Sequence, residues 1–153
     1  MSATPQPDFT WTDQFLLGYG QMDATHREFV DLVAALLAAP DAELARRLDV
    51  FADHAERHFD EEREWMVTTG FPATECHLDE HAKVLASVHE VRGLLAGGRH
   101  ADTCRALARE LARWFPGHAD YMDASLAQWM VKRRSGGIPV VLRRGSAVPA
   151  ETD

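Results

Sequence analysis

The stretch His54-Ala-Glu-Arg-His58-Phe-Asp-Glu-Glu62 places two imidazoles and a carboxylate at intervals of four residues. On an α-helix, residues four apart lie on one face, one above the other. His54, His58 and Glu62 therefore form a single stripe. A second pair with the same spacing, His77 and His81, follows shortly afterwards. Neighbouring helices that offer imidazole and carboxylate to each other build metal sites inside helix bundles. The pattern predicts a helical fold and a buried cation together.

The helix bearing this stripe extends both ways. Asp41, just after Pro40, is expected to open it, and Leu44, Leu48, Phe51, Ala55, Phe59, Trp65 and Met66 recur at helical spacing until Gly70 stops it. Upstream, Asp23 is read as the N-cap of a first helix, whose stripe of Phe29, Val30, Val33, Leu36 and Leu37 runs to Pro40. His26 lies in its first turn. Downstream, Phe71-Pro72 leads into a third helix (Leu78, Val84, Leu85, Val88, Val91, Leu94) closed by Gly97-Gly98. A fourth starts near Asp102 and carries Leu107, Leu111, Trp114, Phe115, Met122, Leu126 and Trp129. Pro116 sits inside it and removes the N–H that would bond the carbonyl of Ala112, so a kink is expected.

Short connections make successive helices antiparallel, so the predicted fold is all-α, an up-down-up-down four-helix bundle. Residues 1–10, with two prolines, are expected to be a flexible arm, and 11–22 an extended segment across the helix ends. Residues 11–133 form the bundle. Residues 134–153 are a C-terminal tail in which Ile138-Pro-Val-Val-Leu142 docks or forms a short extended piece.

A chain of 153 residues with 46% hydrophobic and 26% charged side chains suits one globular domain with its own core. The net charge of -8 argues against nucleic acid or an anionic membrane as partner, since both select basic patches. Cys76 and Cys104 are too few for a disulfide framework and form no CxxC pair, which suits reduced thiols. No basic leader precedes an apolar core, and no run approaches the ~18 apolar residues of a membrane span. The expectation is a soluble, cytoplasmic protein.

Five of the eight histidines, His26, His58, His77, His81 and His118, fall on core-facing positions or pair with one another at helical spacing. Any one alone could be an ordinary half-buried histidine. Together with carboxylates in a core they would leave several unpaired polar groups, each costing ~1–3 kcal/mol. A metal takes up those lone pairs. Zinc wants about four ligands and often cysteine, whereas imidazole with carboxylate suits iron. The count points to two irons bridged by carboxylates. Glu62 is one candidate bridge. For the second, Asp120 and Asp123 are equal choices, because five residues of regular helix set Asp123 about 140° away from His118.

Four pieces, in this order and spacing, resemble the hemerythrin family, of the bacterial single-domain kind, over about residues 11–133. They are Met22-Asp-Ala-Thr-His26; His58-Phe-Asp-Glu-Glu62 with Met66; His77-Leu-Asp-Glu-His81; and Trp114-Phe-Pro-Gly-His118 with Asp123. The resemblance implies a non-heme di-iron centre with an oxo or hydroxo bridge and Glu62 and Asp123 as bridging carboxylates. It places His77, His81 and His118 on one iron and His26 and His58 on the other, which keeps a position open for O2. The implied function is reversible O2 binding for storage, delivery or buffering, without enzymatic turnover, together with an oxygen-using or redox protein as partner. An O2 or redox sensor, or a scavenger of peroxide or nitric oxide, are the alternatives that use the same centre.

Choosing Asp123 requires the helix to be irregular between Trp114 and Asp123. Three residues depart from the family pattern. His54 stands where tyrosine is frequent, and is expected outside the ligand set. Ala119 replaces a usual isoleucine and is expected to enlarge or wet the dioxygen pocket. Pro116 beside a ligand is unusual. Trp114, Phe59, Phe29, Val30 and Met66 are candidates for the pocket wall, and His89 and His100 are expected at the surface.

Overall fold

A computed structural model describes residues 9–134 of the chain. Among these there are helices and no strand. After a 3-10 turn at Asp13–Phe15 come α1 (Gly20–Ala38), α2 (Leu44–Thr69), α3 (Thr74–Ala96) and α4 (Ala101–His118). A π-helical segment, Ala119–Asp123, joins α4 to α5 (Ala124–Arg134), and the three together make the fourth rod. α1 packs on α2 and α4, and α3 on α2 and α4, so the four rods close a ring. Polar ties at one end fix the antiparallel sense. Arg92 near the end of α3 reaches Asp49 near the start of α2 at 2.9 Å, and Arg105 at the start of α4 donates to the Ala39 carbonyl beyond α1 at 2.8 Å. This is the predicted up-down-up-down bundle.

Helix ends follow local chemistry, with two corrections. α1 begins at Gly20, one turn earlier than an Asp23 cap would allow. Asp23 lies inside the first turn and reaches backwards, its carboxylate accepting from Leu17 N at 2.7 Å and Gly18 N at 3.1 Å. It ties the incoming loop to the helix rather than capping the helix itself. Asp41 opens a 3-10 turn, Asp41–Glu43, and the α-helix proper starts at Leu44. Gly70 takes φ 67°, the left-handed conformation expected of it, and Phe71 N then bonds Met66 O at 2.9 Å. Helix α2 ends there because only a residue without Cβ adopts that turn cheaply.

The expected extended segment over 11–22 is also shorter than predicted, since the 3-10 turn and the start of α1 occupy much of it. Phe9, assigned to the arm, packs edge-on to Phe15 and Phe115 at 6.2 and 6.3 Å. An aromatic ring that can cover apolar surface does not stay in solvent. The rest of the arm (1–8) and the tail from 135, with its Ile138–Leu142 piece, lie outside the described residues. No described helix is long and apolar enough to cross a membrane.

The apolar interior is in two parts. A larger cluster holds Phe29, Leu36, Leu48, Phe51, Val88, Leu111 and Phe115, and a smaller one holds Met22, Met66, Phe71, Leu126 and Val131. In the first, second and fourth rods, buried histidines or carboxylates fall between the residues given to one cluster and those given to the other. A polar layer thus crosses the bundle between two hydrophobic bodies.

Candidate metal centre

Each rod contributes to this layer: α1 gives His26, α2 His58 and Glu62, α3 His77 and His81, and the fourth rod His118 and Asp123. All seven are at most 5% exposed. These are the seven residues singled out from the sequence, and the fold brings all of them together. Asp120, the rival of Asp123, is exposed.

The π segment explains why Asp123 can join. Ala124 N bonds Ala119 O, five residues back, so the helix is locally underwound. A five-residue separation then returns to the same face, and His118 Nε2 lies 3.1 Å from Asp123 Oδ1. The expected irregularity between Trp114 and Asp123 is therefore present. Pro116, which cannot donate to the preceding turn, lies just before it.

The two carboxylates are each divided between two groups of imidazoles. Glu62 Oε1 is 3.3 Å from His77 Nε2 and 3.4 Å from His81 Nε2, while its Oε2 is 2.7 Å from His58 Nε2 and 3.5 Å from His26 Nε2. Asp123 Oδ1 is 3.0 Å from His77 Nε2 and 3.1 Å from His118 Nε2, while its Oδ2 is 3.1 Å from His26 Nε2. The donor atoms fall into two sets that could each hold an ion: Glu62, His77, His81, His118 and Asp123 in one, and His26, His58 and Glu62 in the other.

Protons alone do not satisfy this arrangement. Both ring nitrogens of His26 and His77, Glu62 Oε1 and both Asp123 oxygens are buried, and although their Nε2 and carboxylate atoms approach to 3.0–3.5 Å, none meets a partner at hydrogen-bond angles. Each such orphan costs ~1–3 kcal/mol in a dry interior. Cations between these atoms would remove the cost, and the donor chemistry, imidazole and carboxylate without thiolate, fits iron.

The carboxylates also shift the imidazoles they face. Burial lowers the His26 imidazole, but Asp123 and Glu62 outweigh it and raise it to about 10. His77 is likewise lowered by burial and raised further by the same carboxylates, to about 9. Glu62 and Asp123 are both pushed up by burial yet held below the ordinary carboxylate range by the surrounding imidazoles. Burial dominates at His81, whose imidazole falls to about 3 and stays neutral.

Aromatic rings enclose the layer. Phe59 lies flat on His81 with centroids 3.8 Å apart, and Trp114 stacks on His118 at 4.3 Å. Phe29 meets His58 edge-on at 6.0 Å. Of the other wall candidates, Val30 sits in the larger cluster and Met66 in the smaller. Phe115 was not anticipated; its ring stands perpendicular to His26 at 5.2 Å. Its position three residues before His118, on the same helical face, was the available signal.

His54 belongs to neither donor set. Its Nδ1 lies 3.4 Å from Glu28 Oε2, its Nε2 is buried without a partner, and burial followed by nearby positive charge lowers it to about 4. It lines a cavity of about 180 Å³ with Thr25, Glu28, Arg57, His58 and Glu61. Ala119 is buried within the larger cluster and does not line this cavity. His89 and His100 are at the surface, and Cys76 and Cys104 are free thiols outside both donor sets.

Comparison with known proteins agrees with this geometry. The family model of the hemerythrin HHE cation binding domain matches residues 17–130. The bacteriohemerythrin of Ralstonia nicotianae is 39% identical over 127 residues, which cover 83% of this chain and 92% of that protein. No solved structure matches the chain.

Proposed function

The chain belongs to the hemerythrin HHE cation-binding family, and from that premise we propose that it is a non-heme di-iron protein that binds O2 reversibly, for storage, delivery or buffering. The observation that carries the reading is the division of both carboxylates, Oε1 and Oδ1 toward His77, His81 and His118, Oε2 and Oδ2 toward His26 and His58. A carboxylate placed in that way would be shared by two cations. In this reading His77, His81 and His118 would hold one iron and His26 and His58 the other, and Glu62 and Asp123, which face both groups, would be shared between them, with an oxo or hydroxo group completing the centre.

Two irons so held would supply the two electrons with which O2 is taken up and returned. The chain's own residues would do the rest. Three imidazoles on one side against two on the other make the His26–His58 side the less crowded, and the side where a small ligand fits. Phe29, Phe59, Trp114 and Phe115 would keep water off the donors, which strengthens every charge interaction there. The free thiols suit a reducing compartment, and we place the protein in the cytoplasm. An oxygen-using or redox protein is the class of partner to which such a carrier would deliver.

Loading the protein with ferrous iron, exposing it to air and cycling with argon tests this reading. Two irons per chain and a visible charge-transfer band that appears in air and fades under argon are expected. Irreversible bleaching would replace carriage by redox scavenging. Fewer than two tightly held irons would overturn the di-iron assignment itself.

A further inference from the structure

The five imidazoles of the layer are not supported alike. The Nδ1 atoms of His26, His58, His77 and His81 are buried without a hydrogen-bond partner. His118 differs, with its Nδ1 3.0 Å from Glu80 Oε1. The same oxygen accepts the indole N–H of Trp114 at 2.8 Å, and the Trp114 ring lies on the His118 ring, 24° from parallel. Glu80 therefore fixes His118 by its edge and, through Trp114, by its face. The contact also sets the tautomer. A carboxylate can only accept, so the proton sits on Nδ1 and the Nε2 lone pair is left for the site, where it faces Asp123 and His81.

We propose that Glu80, with Trp114, is the positioning residue of the centre, and that it makes the three-histidine half hold its metal more firmly than the two-histidine half. The proposal rests on the di-iron reading above. Glu80 touches no donor other than His118 in the hydrogen bonds and ion pairs of the site, so its effect is local to that half. It is also within reach of the surface. Glu80 is one-third exposed and, with Cys76, Lys83, Glu110 and Trp114, lines a groove of about 750 Å³ between α3 and α4.

Glu80→Ala and the near-isosteric Glu80→Gln, which keeps an acceptor oxygen without the charge, test the proposal in two ways. In the iron-loaded protein, outer carboxylate partners of this kind are worth ~10–100-fold in metal affinity. E80A should lose one of its two irons to a chelator ~10–100-fold faster while the other leaves at the wild-type rate, and one of the two iron environments should change in the Mössbauer spectrum. E80Q should fall between E80A and wild type. Release at wild-type rates in E80A, parallel loss of both irons, or an E80Q no better than E80A would each overturn the proposal.

The second readout needs no metal. In the metal-free protein the hydrogen-bonded Nδ1–H of His118 should give a protected proton resonance in wild type and E80Q that is missing in E80A. Its presence in E80A would overturn the proposal. If wild type fails to take up iron, the di-iron reading falls, and this resonance still decides whether Glu80 holds His118.

Discussion

Deleting Tyr121 should leave the metal centre intact, although the deletion falls between two of its residues. Tyr121 lies in the π segment and is 82% exposed, so its side chain contributes nothing to the core. A π turn is an α-helix that has absorbed one extra residue. In regular helix, five residues from His118 to Asp123 would place the carboxylate about 140° away, whereas four residues leave only about 40°. Removing one residue therefore lets the rod become plain α-helix while the aspartate stays on the imidazole face and α5 keeps its facing. Inserting an alanine after Tyr121 does the opposite. It rotates the aspartate a further ~100°, which at a Cα radius of ~2.3 Å moves the backbone ~3.5 Å and the carboxylate more. Metal bonds tolerate only ~0.2 Å, so the insertion cannot be accommodated by small adjustments. Iron per chain, measured colorimetrically after desalting, should stay at the wild-type value in the deletion and drop in the insertion. Thermal melting should show the deletion at least as stable as wild type. A deletion variant that loses iron as the insertion does would refute the account of the π segment as a single surplus residue.

Three further outcomes follow from the geometry. At pH 7 the raised imidazoles of His26 and His77 carry protons in the metal-free chain, so loading should release about two protons and iron affinity should fall on acidification, as calorimetry in buffers of different ionisation enthalpy will read. The same shifts stabilise the metal-free fold. The His26 and His77 contribution is present below their unfolded value of 6.5 and lost as pH rises through about 9 and about 10, while that of Glu62 and Asp123 is present above the ordinary carboxylate range and lost on acidification. Melting of the metal-free chain should accordingly peak near neutrality, and a steady rise toward alkaline pH would contradict this. Gly70→Ala, which puts a Cβ at φ 67°, should cost about 1 kcal/mol in urea unfolding and leave iron content unchanged.

The bundle was legible because periodicity and stop signals agree. Pro40, Gly70 and Gly97-Gly98 all punctuate apolar stripes at the observed boundaries. The candidate ligand positions on these two helices were legible for a related reason, since spacings of four on α2 and α3 leave no choice of face. Asp123 was different. Regular-helix geometry points it away, and only the resemblance to the family selected it; the local unwinding that turns it inward has no signature beyond a nearby proline. Asp23 was misread because a short acidic side chain in a first turn can reach forward to cap or backward to a loop, and the choice depends on where the incoming chain lies. Glu80 went unnoticed as an ordinary acidic residue between two histidines. What distinguishes it, an oxygen shared by Trp114 and His118, depends on how α3 and α4 pack, and that is not written in either helix alone.

The polar layer between the two apolar clusters also bears on how the molecule comes apart. Iron there would work as a rivet through all four rods, so that the end holding Phe71 and Val131 and the end holding Phe51 and Leu48 open together. Stripped of it, the smaller end is fastened to the larger by a seam of ion pairs and can breathe separately. Amide hydrogens of α5 should then exchange well ahead of those around Phe51, and iron should bring the two rates together.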